Sequence, residues 1–304
     1  MKSVFVSILN FNGAENTLEC LRSLDRVSVK GIELTVLLID NASSEKLKVI
    51  SSEFKLNIEI IHNKENLGFA GGHNVGIKYA LLKNADYIIV LNNDVLLGEE
   101  FMSRLVSTAG ESSEAGIVAP KIYFEKGFEY HKGRCKDRDL GKIIWYAGGE
   151  MDWGNVIGHH RGVDEVDRGQ YNKTEETEYA SGCCMLIKAE VLKKVGFFDE
   201  KYFLYYEDND LCQRTKMAGF KIIYEPRAVI WHKNAGSVGG SGSPLQDYYI
   251  SRNRMLFGMR FAPLRCKAAL VKESIRIIST GRKWQKKGIM DFYLRRFGKG
   301  SYKI

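Results

Sequence analysis

A chain of 304 residues with 44% apolar and 27% charged side chains has the material for a large core, which excludes a disordered or fibrous protein and leaves one large domain or two small ones. Its net charge of +8 is uneven: residues 251–304 hold 15 Lys and Arg against only Glu273 and Asp291, a net of +13, which leaves −5 for residues 1–250. No apolar run reaches the roughly 18–20 residues of a membrane span, the first residues lack a signal-peptide cleavage pattern, and the six cysteines have no metal or redox spacing, so a cytoplasmic protein with reduced thiols is expected.

Residues 4–9 read as a first strand, and Asn10-Phe11-Asn12-Gly13 as a turn into a helix with Leu18, Leu21 and Leu24 on one stripe. Leu34 to Ile39 is a second strand, ending in Asp40. Ser43 or Ser44 can cap a following helix whose Leu47, Ile50 and Phe54 face inward. Ile58 to Ile61 is a third strand, and Asn66 to Asn74 opens a helix that runs through Leu82. Tyr87 to Leu91 is a continuous apolar run of the kind buried on both faces in a parallel sheet, and it stops abruptly at Asn92-Asn93-Asp94. This strand–helix alternation predicts an α/β fold with a mostly parallel sheet.

Beyond Asp94 a helix is expected over Phe101–Ala109. Ile117–Phe124 reads as a strand whose Pro120 suits a sheet edge. Residues 125–178 read as a hairpin near Ile143–Tyr146 plus a mobile excursion. Ala180–Ile187 is a strand, Glu190–Val195 a short helix, and Tyr205 to Arg214 runs into a helix that Gly219 ends. Lys221–Tyr224 and Ala228–Trp231 read as two strands, 234–244 as a Gly/Ser-rich loop, and everything from Leu245 as helical and basic. Such a tail points to nucleic acid, an anionic membrane or an acidic substrate. The body has no basic-aromatic pattern that would support nucleic acid.

The chemistry-bearing residues sit at element ends. Asp40 and Asp94 close two strands of one sheet, the edge where open α/β sheets bind ligands, although a strand-end Asp can also cap the next helix. Glu207, Asp208 and Asp210 crowd a helix start behind Tyr202-Phe203-Leu204-Tyr205-Tyr206. One carboxylate there serves the helix dipole, and an aromatic wall raises the pKa of the others and makes them better bases. His232, at a strand end, is a candidate second metal ligand beside Asp94. The glycines at 68, 71 and 72 open a helix whose N–H groups suit phosphate.

In this order, Leu9-Asn10-Phe11-Asn12-Gly13, Ile39-Asp40-Asn41-Ala42-Ser43, the Asn66–Asn74 segment, Leu91-Asn92-Asn93-Asp94, Ser181-Gly182-Cys183-Cys184-Met185, Tyr206-Glu207-Asp208-Asn209-Asp210 and His232 resemble glycosyltransferase family 2. This family comprises inverting sugar transferases with nucleotide-diphosphate donors and a GT-A fold, and the likeness is to its bacterial rhamnosyltransferase subset. The resemblance implies a catalytic domain over 1–244, with a donor half to about 115 and an acceptor half after it, and a basic helical extension over 245–304. It implies donor contacts from Asn10, Asn12, Asp40, Asn66, Gly68, Gly71, Asn74, Asn92 and Asn93. A divalent cation, Mg2+ or Mn2+, would be held by Asp94 and His232. Asp208 would be the base with Glu207 beside it, and Gly182-Cys183 would line the acceptor pocket. Many members carry two or three acids where this chain has Asn92-Asn93-Asp94, which shifts weight to His232.

The donor would be a UDP- or dTDP-sugar, since uracil and thymine offer Asp40 the same edge. The acceptor would be a glycan or polyprenyl-linked glycan. Arg252 or Arg254 would meet phosphate, or face solvent on a helix. Leu264, Ala268, Val271, Ile275 and Ile278 can share one face among basic residues, suited either to an anionic bilayer or to docking on the catalytic domain. The rival readings are a sugar nucleotidyltransferase, which would show a Gly-rich basic loop where Asn10–Gly13 stands, and an inactive donor-binding module.

Overall fold

A computed structural model describes residues 1–45, 51–131, 133, 136–233 and 242–302. The apolar runs of the first half form the parallel strands β1 (Lys2–Asn10), β2 (Ile32–Asp40), β3 (Asn57–His62) and β4 (Tyr87–Asn92), in spatial order β3-β2-β1-β4. Between them lie α1 (Ala14–Leu24) and α2 (Gly68–Leu82). The register sets Asn10 beside Asp40, Asp40 beside His62 and Leu9 beside Asn92. The polar residues that end the strands therefore share one sheet edge. Helix α2 lies close on the sheet because its glycines allow it: a Cβ at Gly72 would lie 2.4 Å from Leu9 Cδ1, and one at Gly76 2.6 Å from Ser7 Oγ.

The second half continues the sheet with mixed directions. In chain order it holds β5 (Val95–Leu97), α3 (Phe101–Glu111), β6 (Ala115–Phe124), β7 (Ile144–Tyr146), β8 (Gly149–Asp152), β9 (Ile157–His160), β10 (Glu175–Glu176), β11 (Cys184–Lys188), α4 (Ala189–Val195), α5 (Glu207–Met217) and β12 (Lys221–His232). Strand β11 runs antiparallel to β4 and carries the order on through β6 and β12 to β10. Strand β5 pairs with the end of β12, bringing His232 opposite Val95.

Several expectations need correction. Pro120 is in the sheet interior: β11 pairs with β6 only at Ile117 and Val118, and the β12 register shifts between Glu225 and Val229 opposite the proline, so its missing N–H falls where the ladder is interrupted. That same bulge joins the two strands expected over 221–231 into the single β12. The described residues of 125–178 hold four short strands, with β8 and β9 as the hairpin. Leu47 and Ile50 of the expected second helix lie outside the described residues, as do 234–241 of the Gly/Ser-rich loop and Cys135. Phe54 follows a short 3-10 turn at Ser51–Glu53 and packs on the core. The other five cysteines are buried and free of disulfides.

The tail forms α6 (Pro244–Phe261), α7 (Leu264–Thr280) and α8 (Lys283–Tyr293). Ser243 caps α6 by accepting the Gln246 N–H, and Pro244 takes the first helical position. These helices share an apolar cluster with Met151, Val156, Tyr202 and Tyr206 through Met255, Phe257, Leu270 and Ile289. They cover the side of the protein where α5 begins. Among the described residues, no helix is long and apolar enough to cross a membrane.

Candidate active site

At the carboxyl edge of the parallel strands, β1 and β2 are meshed by their terminal side chains. Asn10 is buried and donates to Asp40 Oδ1 at 3.3 Å and Ser43 Oγ at 3.0 Å, while its own Oδ1 accepts from Gly13 N and Thr17 Oγ1. Asn12, left-handed at φ 55°, accepts the Ser44 N–H at 2.8 Å. Burial would raise the Asp40 pKa, but hydrogen bonds from Ser43, His62 and Asn10 outweigh it and hold the carboxylate below its usual range. His62 is 3.1 Å from Asp40 Oδ2. It directly follows the expected third strand, a signal that points to the same edge.

The Asn66–Asn74 segment is organised by Asn41, which sequence reasoning passed over. Its side chain donates to Asn66 Oδ1 and the Gly68 carbonyl and accepts from Asn63 and the Leu67 N–H. Gly68 is left-handed, with φ +71°, and the Phe69 and Ala70 N–H groups both donate to the Phe203 carbonyl. The first turn of α2 is thus occupied by protein, which corrects the expectation that these amides wait for phosphate. Gly71 abuts Leu67, and Asn74 spends its amide on Phe198 and Glu200. Asn93 likewise donates to the Gly13 carbonyl and Thr17 Oγ1. The visible contacts of Gly68, Gly71, Asn74 and Asn93 are internal ties.

Asp94 and His232 do come together. Both are buried, and His232 Nε2 is 3.2 Å from Asp94 Oδ1. Burial would raise the Asp94 pKa, but the imidazolium charge and the Asn92 side chain hold it down. Burial also opposes a charge on His232, yet the Cys183 sulfur and the Asp94 carboxylate prevail and push the imidazole up to about 10. Burial pushes the Cys183 thiol up. Apart from the Nε2–Oδ1 contact between the two residues, the buried Asp94 Oδ1 and His232 Nδ1 meet no hydrogen-bond partner among the described residues. A hard cation that takes one carboxylate, one imidazole and substrate phosphate oxygens fits this pair, and its binding would displace the proton of His232. No group of three or more His, Cys, Asp or Glu side chains among the described residues is arranged as a complete metal site.

Gly182 and Cys183 connect this pair to the acids of α5. The Cys183 carbonyl accepts the Asn92 N–H, and the Gly182 N–H donates to Asp208 Oδ2 at 2.9 Å. A Cβ at Gly182 would lie 3.0 Å from the Phe69 ring, so a larger residue there would require Phe69, on the first turn of α2, to shift. Asp208 Oδ1 accepts the backbone and side-chain N–H of Asn209 at 2.7 and 3.0 Å. Burial raises its pKa despite these bonds. Glu207 goes well above the usual range because it is buried and faces the charges of Asp208 and Asp210. Asp210 is taken by Arg214 and Arg260, each at 2.6 Å, so it is the structural member of the three.

Glu207 and Asp208 line a cavity of about 400 Å3 whose far wall is Ile250, Arg254, Leu270, Ile277 and Ile289 of the C-terminal helices. Arg254 pairs with Glu273 at 2.9 Å and donates to the Asn155 carbonyl. Arg252, expected on phosphate or in solvent, is fully buried. Its donors go to Asn253 Oδ1 and the carbonyls of Arg296, Gly298, Lys201 and Tyr202. A guanidinium has five N–H groups, and these five acceptors use them, leaving none for phosphate.

Residues 3–196 match the family described as Glycosyl transferase family 2, and the chain belongs to that family. Asp208 and His232 lie beyond the matched stretch. The chain is 26% identical over 187 residues to the low-salt glycan biosynthesis hexosyltransferase Agl10 of Haloferax volcanii, covering 61% of this chain and 54% of that protein. It is 27% identical over 218 residues to an N-acetylglucosaminyl-diphospho-decaprenol L-rhamnosyltransferase of Mycobacterium tuberculosis, covering 68% of each. The match thus spans about half the length of the first and two thirds of the second. Among solved structures it is similar to GalNAc-T7 with UDP, GalNAc and Mn2+, with TM-score 0.61, 16% identity, and coverage of 82% of this chain and 48% of that one. At that identity the likeness speaks for the fold alone, which is GT-A.

Proposed function

We propose that this chain transfers a sugar, rhamnose being the first candidate, from a nucleotide-diphosphate donor to a hydroxyl of a glycan or lipid-linked glycan, with inversion, and that Asp208 is the general base. The supporting observation is the setting of Asp208. Its carboxylate is anchored by the Gly182 N–H, raised in pKa by burial, and opens into a cavity large enough for an acceptor sugar. A base with a pKa nearer the working pH accepts a proton more effectively in the transition state. Asp208 takes the proton of the acceptor hydroxyl as that oxygen attacks the anomeric carbon opposite the leaving diphosphate. A single displacement inverts the centre. Glu207, pushed well above the usual range by burial and by the charges of Asp208 and Asp210, stands beside the base as a carboxyl with one buried oxygen that has no partner among the described residues.

On the donor side, Asp40 with Asn10 holds the base and ribose, and Asp94 with His232 holds a divalent cation, Mg2+ or Mn2+. When bound, the cation supplies a Lewis acid for the charge that develops on the leaving diphosphate. The names of the relatives favour a rhamnosyl donor and a polyprenyl-linked acceptor. The apolar wall of Ile250, Leu270, Ile277 and Ile289 suits the lipid-proximal part of such an acceptor. Arg254, lining the same cavity, remains the candidate for acceptor phosphate.

The outer face of α7 supports contact with an anionic membrane. The helix docks through Cys266, Leu270 and Ser274, so Leu264 (84% exposed) and Ile275 (64%) face outward beside the exposed Arg265, Lys272 and Arg276. Apolar and basic side chains on one face are what an anionic bilayer surface binds.

The test is release of nucleoside diphosphate from UDP- and dTDP-linked sugars, with added Mn2+, Mg2+ or chelator. Cation-dependent release from one donor is expected. Formation of a sugar nucleotide from sugar phosphate and nucleoside triphosphate would replace this reading with that of a nucleotidyltransferase.

A further inference from the structure

The segment that leads into α5 has an improbable backbone. Phe203, Tyr205 and Tyr206 have φ of 65°, 69° and 72°, a region that bulky L-residues avoid. Three such residues within four positions persist only where the surroundings over-determine them. The determinants come from α6. The two N–H groups of the Asn253 side-chain amide are shared among the carbonyls of Tyr202, Leu204 and Tyr205, at 2.9, 2.7 and 2.8 Å from Nδ2. Arg252 donates to Lys201 and Tyr202 from one nitrogen and to Gly298 and Arg296 from another. Its Nε–H donates to Asn253 Oδ1 at 2.9 Å, which fixes the way the Asn253 amide faces.

The held segment touches both halves of the site. The Phe203 carbonyl accepts the Phe69 and Ala70 N–H groups at the start of α2. Tyr206 is the residue before Glu207 and Asp208, and its carbonyl accepts the Asp210 N–H, closing the first turn of α5.

We propose that Arg252 and Asn253 are positioning residues for the transfer reaction: they impose the left-handed path of residues 202–206 and so fix Asp208 relative to the start of α2. The inference rests on the reading of Asp208 as base and gives Arg252 a role distinct from phosphate binding.

Asn253→Ala tests it. Displacing a catalytic group by about 1 Å costs on the order of 10²-fold in rate, so kcat is expected to fall by about that factor while the donor KM holds. Hydrogen exchange should quicken at residues 202–210 and stay unchanged in β1, β2 and β4. Glycine takes positive φ without steric cost, so Tyr205→Gly should recover part of the lost kcat in the Asn253→Ala background and give no gain in the wild type. Unchanged kcat and exchange would overturn the proposal. So would a loss of kcat that tracks loss of folded protein with exchange raised uniformly, which marks a purely structural tie. If Asn253→Ala does not fold, Arg252→Lys, which keeps the charge and loses the fork, carries the same comparison. Exchange needs no turnover, so an inactive wild type would defeat the reading of Asp208 and leave the exchange result to judge the positioning.

Discussion

The acids at the start of α5 differ in what surrounds them, and each difference has a measurable consequence. Asp208→Asn keeps the shape and removes the base, so transfer should fall by ~10²–10⁴-fold with donor affinity retained, measured by turnover and by donor titration. The charge of Asp208 is felt by Glu207 on its own helix and by Tyr146, Tyr179, Tyr206 and Cys212 around it, and burial dominates its own raised pKa over the hydrogen bonds from Gly182 and Asn209. The acid limb of the pH–rate profile should therefore lie above the usual carboxylate range, and an acid limb at the ordinary Asp value of 3.8 would count against the assignment. Glu207 makes a separate prediction about stability. Its folded pKa lies well above its ordinary 4.5, so its stabilising contribution is full below that value and is lost as pH rises through the folded pKa. Melting temperatures of Glu207→Gln and wild type should diverge in favour of the variant as pH rises from acid to neutral, and parallel curves would refute the buried neutral carboxyl. Sequence could name these acids as a group and offers Asp210 a local partner in Arg214 four residues on, whereas Arg260, which completes its neutralisation, comes from α6 by tertiary approach. The burial of Arg252 is likewise tertiary: nothing in Ser251-Arg252-Asn253 says that five carbonyl and amide oxygens converge on it.

At the scale of elements, strands β1, β2 and β4 were legible because they are continuous apolar runs buried on both faces, and helix α1 because its leucine stripe turns inward. Helix α2 shows what was not legible. Its glycines looked like a phosphate loop, and the structure uses them for close approach. Gly68→Ala would force a Cβ to 2.4 Å from the Phe203 carbonyl oxygen at a positive φ, and overpacking of that kind costs about 1–3 kcal/mol. Gly31→Ala, at φ +75° with open space around it, isolates the backbone cost of a left-handed alanine, roughly 1–2 kcal/mol. Denaturant unfolding should rank Gly68→Ala as the more destabilised, and equal losses would mean that the Phe203 contact yields. Pro120 and the single β12 were not legible because both depend on a register shift between Glu225 and Val229 that exists only in the pairing of β12 with β6.

At the scale of the whole molecule, the charge asymmetry seen in the sequence becomes a surface. Helices α6 to α8 wall the cavity beside Asp208 with their inner residues, and α7 turns Leu264 and Ile275 outward. The sequence places Leu264, Ala268, Val271, Ile275 and Ile278 on a common stripe without saying which way it faces. The packing decides that it is not the docking face. Vesicles rich in anionic lipid should therefore bind the full chain at low salt, and Leu264→Glu with Ile275→Glu should release it. Equal binding by that variant would remove the membrane from the account. Inverting transfer with Asp208 as the base is the activity proposed for this family 2 chain. The most direct measurement is the anomeric configuration and rate of glycoside formation, by NMR, from whichever nucleotide-sugar the wild type turns over, run beside Asp208→Asn. The account predicts a product of inverted configuration and a variant that binds donor but forms almost no glycoside, whereas retained configuration or wild-type turnover by Asp208→Asn would contradict it.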